Sequence, residues 1–378
     1  MSKRARWLVP LAVVILVLGF TAAGYAGKSQ TTKSQVTSAG VPAELAALVK
    51  ASSSTVSKWN GPTTGPIAPK GKFIVSIPCT RLAYGCARID DGVKAAAKVL
   101  GWKVLSIDPK GDPAAANDAV RQAIRLKADG IVVGAIDPVV LKASIAEARK
   151  AGIVVVDPVS ARAPSPTGIN HDVSIQGFKE GRVLGAYIAV ASNGTAQVGI
   201  MDDKEFPHQA LRTGGIKASL AKCSGCKIVG ESNFVVTDIG TLLGPKSQSF
   251  LSANPSITWL SVAFDAATGD VVAASQQAGA RKVKIVSMDG NPQNLAFIQQ
   301  GKQTATVAAP LDRTGWAAVD NINRVINRQK PTVDDGIPIR LVTKANVADF
   351  LKNGFGPVNY QAKYTQLWKT GKTRGQPS

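Results

Sequence analysis

The chain has 378 residues, of which 45% are hydrophobic and 6% aromatic, and it carries a formal net charge of +20. The apolar fraction excludes an intrinsically disordered chain, and the length is sufficient for two α/β domains with separate cores. The positive charge suits an anionic envelope surface, or it serves only solubility. We expect no nucleic-acid partner, because the first residues predict export of the chain.

Residues 1–26 have the pattern of a secretory signal peptide. Lys3, Arg4 and Arg6 precede an apolar run that ends near Phe20, and small residues follow at a boundary typical of signal cleavage. Because the run approaches the ~20 residues that span a bilayer, an uncleaved N-terminal anchor remains an alternative. We predict an exported protein, in the cell envelope or outside the cell.

Residues 27–70 are rich in Ser, Thr, Pro and Gly, which predicts a flexible tether. A short amphipathic piece, Pro42–Lys50, interrupts it. The segment Trp59–Pro62 is a candidate for docking onto the folded body.

Two series of alternating strands and helices follow the tether. The first has strands at Phe73–Ile77, Trp102–Ile107, Gly130–Val133 and Ile153–Val156, and helices at Ala87–Leu100, Pro113–Lys127 and Val139–Ala151. The second has strands at Gln197–Met201, Lys227–Gly230, Thr258–Val262 and Val283–Ser287, and helices at Ile175–Ala191, Gln209–Lys222, Ile239–Ser252 and Ala266–Ala278. Continuous Ile/Val runs indicate parallel strands that are buried on both faces. The fold class is therefore α/β, with two doubly wound parallel-sheet lobes and a ligand cleft between them.

The four cysteines, Cys79, Cys86, Cys223 and Cys226, are predicted to form two local disulfides because the protein is exported. The pair Cys223 and Cys226 could instead be a redox or metal half-site. It follows a helical pattern rather than opening a helix, and two histidines supply few further zinc ligands. We therefore predict no metal site.

Candidate ligand contacts lie where strands end, because ligands of open α/β sheets bind beyond the carboxyl ends of the strands. Asp137 and Asp265 also qualify as helix caps, and His208 as a solvated residue of a first helical turn. The candidates in the first lobe are Thr80, Arg81, Tyr84, Asp137 and Asp157, and those in the second are His208, Arg212, Phe264, Asp265 and Asp289. Carboxylates there suit hydroxyl or ammonium donors, and an aromatic ring suits a sugar face.

Enzyme motifs are absent from the sequence. It contains no Gly-x-Ser-x-Gly elbow, no phosphate-binding loop and no Gly-x-Gly-x-x-Gly fingerprint, and its two histidines have no motif partners. We expect a binding protein without a cofactor. A hydrolase of envelope polymers is the enzymatic alternative.

Several segments together resemble type I periplasmic binding proteins of the ribose-binding-like branch. They include Lys72–Pro78, Asp118–Gly134, Ala151–Asp157, Ile285–Gly290 and Gln300–Val307, and the resemblance covers about residues 72–347. It implies a three-segment hinge, with crossings near residues 170–171, 290 and 310. Lobe 1 would then be residues 71–170 plus 291–310, lobe 2 residues 171–290 plus 311–347, and residues 348–378 a C-terminal extension.

The resemblance also implies that Asp157, Arg212 and Asp289 hold polar groups of a ligand. Pro158 stands where sugar binders of the family often have Arg, and Ala309 stands where they have Gln. A ligand less hydroxylated or more apolar than a simple pentose is therefore expected.

The implied role is that of a monomeric solute-binding component that delivers a small sugar-like ligand to the permease of an ABC transporter. A ligand-sensing module that presents its ligand to a membrane receptor is the alternative. A transcription regulator of this fold is disfavoured, because the signal peptide and tether occupy the place of its DNA-binding helices.

Overall fold

A computed structural model of the protein describes residues 40–280 and 282–373. The predicted signal peptide and the first part of the predicted tether lie outside the described residues. No helix in the described part is long and apolar enough to span a membrane.

Lobe 1 is built on a parallel sheet of five strands in the order β2-β1-β3-β4-β5. The strands are β1 (Phe73–Pro78), β2 (Lys103–Ser106), β3 (Gly130–Gly134), β4 (Val154–Pro158) and β5 (His171–Val173). The Ile and Val side chains of β1, β3 and β4 are buried, as their uninterrupted apolar runs predict.

Lobe 2 is built on a sheet in the order β11-β10-β9-β8-β6-β7, in which β11 alone runs antiparallel to its neighbour. The strands are β6 (Gln197–Asp202), β7 (Lys227–Asn233), β8 (Trp259–Val262), β9 (Lys284–Asp289), β10 (Ala305–Ala308) and β11 (Arg340–Thr343). The prediction of two α/β lobes with parallel sheets is confirmed.

Helices cover both sheets. Their bounds are α1 (Ala43–Ser52), α2 (Tyr84–Leu100), α3 (Pro113–Arg125), α4 (Lys142–Lys150), α5 (Pro164–Thr167), α6 (Gly177–Ala191), α7 (Pro207–Leu220), α8 (Leu243–Ala253), α9 (Thr268–Gln277), α10 (Pro292–Gln300), α11 (Leu311–Ile326), α12 (Val347–Asn353) and α13 (Tyr360–Thr370). The predicted cap of α3 is present, since Asp112 accepts a 2.8 Å hydrogen bond from the Ala114 amide and Pro113 occupies the first turn.

The predicted lobe boundaries beyond residue 290 are wrong. Strand β10 pairs with β9, so residues 291–310 belong to lobe 2 and the chain does not cross near Gly290. Helix α11 instead packs against α2 and β4 of lobe 1. A Cβ atom on Gly92 would lie 2.0 Å from the Asp312 carbonyl oxygen, so this contact of α2 with α11 requires glycine. The crossing near Pro310 is present, and β11 returns the chain to lobe 2.

Described residues of the predicted tether are packed rather than flexible. Helix α1 lies against α6, with Leu45 fully buried. Trp59 contacts the Arg313 guanidinium at 4.5 Å and Tyr364 edge-on, which confirms docking of this segment. The indole nitrogen of Trp102 donates to the Pro69 carbonyl at 2.7 Å. Residues 40–70 therefore form a strap that runs from lobe 2 to lobe 1.

The predicted C-terminal extension is also part of the folded body. Helix α13 packs on α11, where Trp368 stacks on Trp316 with ring centroids 5.4 Å apart. The Trp368 indole donates to the buried Asp320 carboxylate at 2.8 Å. Residues 354–359, like the strap, connect the two lobes beside the hinge.

Candidate functional site

A narrow cavity lies between the lobes, and we call it the inner chamber. Lobe 1 lines it with Ala83, Gly85, Cys86, Ile89, Ala135, Val159 and Leu311; lobe 2 lines it with Phe206, His208, Gln209, Arg212, Phe264, Ala266 and Asp289. Of the predicted contacts, His208, Arg212, Phe264 and Asp289 are brought together here.

Arg212 is the centre of a buried ionic network in lobe 2. Its guanidinium donates two hydrogen bonds to Glu180, at 3.0 and 3.1 Å, and one to Asp289 at 2.8 Å. A Cβ on Gly181 would lie 1.8 Å from the Arg212 carbonyl oxygen, so glycine lets α6 and α7 approach closely enough to form the network. Burial raises the pKa of Glu180, but Arg212 and His208 outweigh burial and the pKa is lowered overall. Glu180 is therefore ionised.

His208 extends this network toward the chamber. Its Nε2 lies 2.9 Å from Glu180 Oε2, and its Nδ1 is buried without a hydrogen-bond partner in the part of the chain that the structure describes. Burial lowers the pKa of His208 despite Glu180, so the imidazole is neutral. Nε2–H then donates to the carboxylate, which leaves Nδ1 as a hydrogen-bond acceptor.

Gln209 and Phe206 are chamber residues that the sequence analysis missed. The Gln209 Oε1 atom is buried, and no described residue donates a hydrogen bond to it. Residues 208, 209 and 212 share one side of α7 through their three- and four-residue spacing, and this periodicity was the available signal. Phe206 packs edge-on against Phe264, with centroids 5.8 Å apart.

Asp265 does not line the chamber. Its carboxylate accepts hydrogen bonds from the Asn291 amide at 2.8 Å and the Thr306 hydroxyl at 3.0 Å, and it contacts the Ser287 hydroxyl. Burial raises its pKa to about 7. Asp265 thus joins β9, β10 and the start of α10 behind the binding surface.

Three predicted contacts in lobe 1 lie away from the inner chamber. The Thr80 hydroxyl oxygen accepts a hydrogen bond from the Leu82 amide at 3.2 Å. The Arg81 guanidinium forms ion pairs with Asp90 and Asp91. Tyr84 is 49% exposed.

Asp157 and Asp137 are the other two predicted ligand contacts in lobe 1. Within the described residues, neither oxygen of the fully buried Asp157 has a hydrogen-bond partner, and burial followed by repulsion from Asp172 holds its pKa well above the usual range. Asp137 caps the Val139 amide at 3.0 Å and pairs with Arg162 at 2.8 Å.

Asp137 lines a second cavity between the lobes, of about 200 Å³, which we call the outer chamber. The outer chamber is lined by Cys79, Pro109, Gly111, Asp112, Pro113, Ala116, Ala135, Ile136, Asp137, Val140, Glu205, Phe206 and Val236. Ala135 and Phe206 line both chambers, so the two adjoin.

The cysteines pair as predicted. The sulfur atoms of Cys79 and Cys86 are 2.04 Å apart, and those of Cys223 and Cys226 are 2.11 Å apart. Cys86 lines the inner chamber and Cys79 the outer chamber, so the first disulfide fixes the wall of both. Among the described residues, no group of three or more His, Cys, Asp or Glu is arranged to hold a metal ion.

Two lobes around a cavity are the architecture expected of a solute-binding protein. The sequence profile of the family described as "Periplasmic binding protein domain" matches residues 75–330. The chain belongs to this family and is a binding protein rather than an enzyme.

Relatives and solved structures agree with this assignment. The ribose import binding protein RbsB of Escherichia coli is 22% identical over 68% of this chain and 85% of its own length. The RbsB of Bacillus subtilis is 22% identical over 67% of this chain and 81% of its own.

A glucose-galactose binding protein from Geobacillus stearothermophilus shares the fold with a TM-score of 0.67 and 21% identity, covering 74% of this chain and 99% of its own. An Agrobacterium vitis solute-binding protein with bound allitol gives a TM-score of 0.68 and 19% identity, covering 75% of this chain and 98% of its own.

Proposed function

We propose that this protein is an exported, monomeric solute-binding component of an ABC importer and that it closes the inner chamber around a sugar-like ligand. The observation that carries the proposal is the composition of the chamber. One side brings His208, Gln209, Asp289 and two aromatic rings, and the other side brings apolar groups.

The hydrogen-bonding groups of the chamber suit a ligand with hydroxyl donors. His208 Nδ1 and Gln209 Oε1 need donors because an unpaired buried acceptor costs about 1–3 kcal/mol. Asp289 adds a carboxylate, and Phe264 offers an aromatic face. Arg212 is already committed to Glu180 and Asp289, so it orients the carboxylate rather than binding an anion.

Closure of the lobes supplies the selectivity in this proposal. The start of α2 reaches across to lobe 2, where a Cβ on Gly85 would lie 3.3 Å from Asp289 Oδ2. On the hinge side, Arg88 of lobe 1 donates to the Asp289 carbonyl at 3.2 Å. A ligand that contacts both walls shifts the open–closed equilibrium toward the closed state.

Calorimetry and thermal unfolding with a panel of sugars and polyols test the proposal. A true ligand at a hundredfold excess over its Kd should stabilise the protein by about 2.7 kcal/mol. Asp289→Asn should weaken binding, whereas Asp118→Asn on the exposed surface of α3 should leave it unchanged. A panel without any binder would contradict the sugar-like ligand.

Two further measurements test the transport role. Native mass spectrometry should show one chain with at most one ligand. Uptake of the labelled ligand by proteoliposomes that contain the cognate permease should require this protein, and uptake that is independent of it would contradict the importer role.

A further inference from the structure

A ligand that fills only the inner chamber would leave the outer chamber without a role in binding. The outer chamber has a volume of about 200 Å³, which leaves room for a small group beyond the inner chamber. Because Ala135 and Phe206 line both chambers, a ligand passing these two residues would extend from one into the other.

Both lobes build the outer chamber. In lobe 1, Gly111 takes a left-handed φ of +81°, and a Cβ there would lie 3.3 Å from Val236 Cγ1 of lobe 2. Glu205 fixes that part of lobe 2 by accepting the Val236 amide at 2.9 Å. The chamber is therefore completed when the lobes meet, as the inner chamber is.

The charge of the outer chamber is opposite to that of the protein. The chain carries a net charge of +20, yet the chamber is lined by three carboxylates and no Lys, Arg or His among the described residues. Asp137 is neutralised by Arg162. The carboxylates of Asp112 and Glu205 each accept one hydrogen bond from a backbone amide, and neither is ion-paired within the described part of the chain.

We propose that the ligand has two parts, a sugar-like part in the inner chamber and an ammonium-bearing part in the outer chamber. The proposal rests on the function proposed above and adds the chemical class of the second part. Pro109, Pro113 and Val236 contact the linking carbons, and Asp112 and Glu205 attract the ammonium group.

Matched glycosides test this inference. Ribose, arabinose, xylose, glucose, galactose and allose are each measured by calorimetry as the free sugar, the 2-hydroxyethyl glycoside and the 2-aminoethyl glycoside. For the best sugar, we expect the aminoethyl glycoside to bind about fivefold tighter than the hydroxyethyl glycoside at low salt, and the difference to shrink in 1 M salt. The double variant Asp112→Asn/Glu205→Gln should abolish the difference, and Asp118→Asn should retain it.

The remaining outcomes separate the two proposals. Equal affinity for both glycosides would overturn the ammonium preference. A free sugar that binds as tightly as either glycoside would overturn the use of the outer chamber while leaving the solute-binding proposal intact. Failure of every probe to bind would instead overturn the sugar-like ligand itself and, with it, the two-part ligand.

Discussion

The two lobes contribute differently to the inner chamber. Every lining residue of lobe 1 is apolar or small, whereas lobe 2 supplies His208, Gln209, Arg212 and Asp289 together with the aromatic rings. Lobe 2 is thus equipped to recognise a ligand by hydrogen bonds, and lobe 1 to cover it and exclude water. Substitutions of the polar chamber residues of lobe 2 should alter specificity and stability together, and added bulk on the lobe 1 wall should alter affinity alone.

The largest expected effect is in the ionic network of lobe 2. Arg212→Met leaves the buried Glu180 without its guanidinium, and breaking a buried pair in this way costs about 3–5 kcal/mol. Urea unfolding measures the loss. The control Arg121→Met removes an exposed pair with Asp118 at 3.3 Å and should cost less than about 1 kcal/mol. Similar losses in the two variants would contradict a special role for the network.

The two disulfides offer a matched comparison. Removing either by double Cys→Ser substitution should cost about 2 kcal/mol of stability, because each closes a short loop. Only the Cys79/Cys86 variant should also lose affinity, by about tenfold, since only this disulfide lines the chambers. Equal affinity in the two variants would show that the lobe 1 wall needs no such support.

Ala83→Leu tests the covering role of lobe 1. The added side chain intrudes on the closed chamber but projects into solvent when the lobes part, so affinity should fall about tenfold with little change in the free energy of unfolding. Ala114→Leu on the exposed surface of α3 is the control. Unchanged affinity in the Ala83 variant would mean that lobe 1 does not close over the ligand.

The smallest expected effect is a pH dependence of stability. The folded-state pKa of Asp265 is raised to about 7 and that of Asp203 to about 8, chiefly by burial. The folded state therefore binds protons more tightly than the unfolded state, and stability falls as pH rises through 7 and 8. We expect Tm to drop by roughly 2–4 °C between pH 6.5 and 8.5.

Asp265→Asn should reduce this slope, because the amide does not titrate, and Asp118→Asn should keep it. Below pH 6.5 the lowered pKa of His208 should offset part of this slope, because its protonation is unfavourable in the folded state. A Tm that rises between pH 6.5 and 8.5 would contradict the assignment of these buried carboxyls.

The sequence predicted the lobes well because their central strands are uninterrupted Ile/Val runs with glycine and proline at the boundaries. The sequence analysis assigned residues 311–326 to the wrong lobe, because the lobe to which a helix belongs depends on contacts between distant parts of the chain. Here the decisive contact is the close approach of the α11 backbone to Gly92 of α2. The abundance of Ser, Thr, Pro and Gly before residue 70 predicted a flexible tether. Contacts with residues far along the chain, such as Arg313, instead hold that segment in place.

The candidate site was recovered more completely in lobe 2 than in lobe 1. Arg212 and Asp289 followed from the family resemblance, and the structure places them on the chamber. Arg81 and Asp137 follow strands, as ligand contacts do, but their side chains are taken by Asp90 and Arg162. Gln209 was missed because a polar residue in a first helical turn is ordinarily solvated.

Hydrogen–deuterium exchange with and without the best-binding sugar tests the central claim most directly. Binding between the lobes predicts simultaneous protection of residues 83–89 in lobe 1 and of residues 206–212 in lobe 2. Protection confined to one lobe, or located away from both segments, would contradict the account.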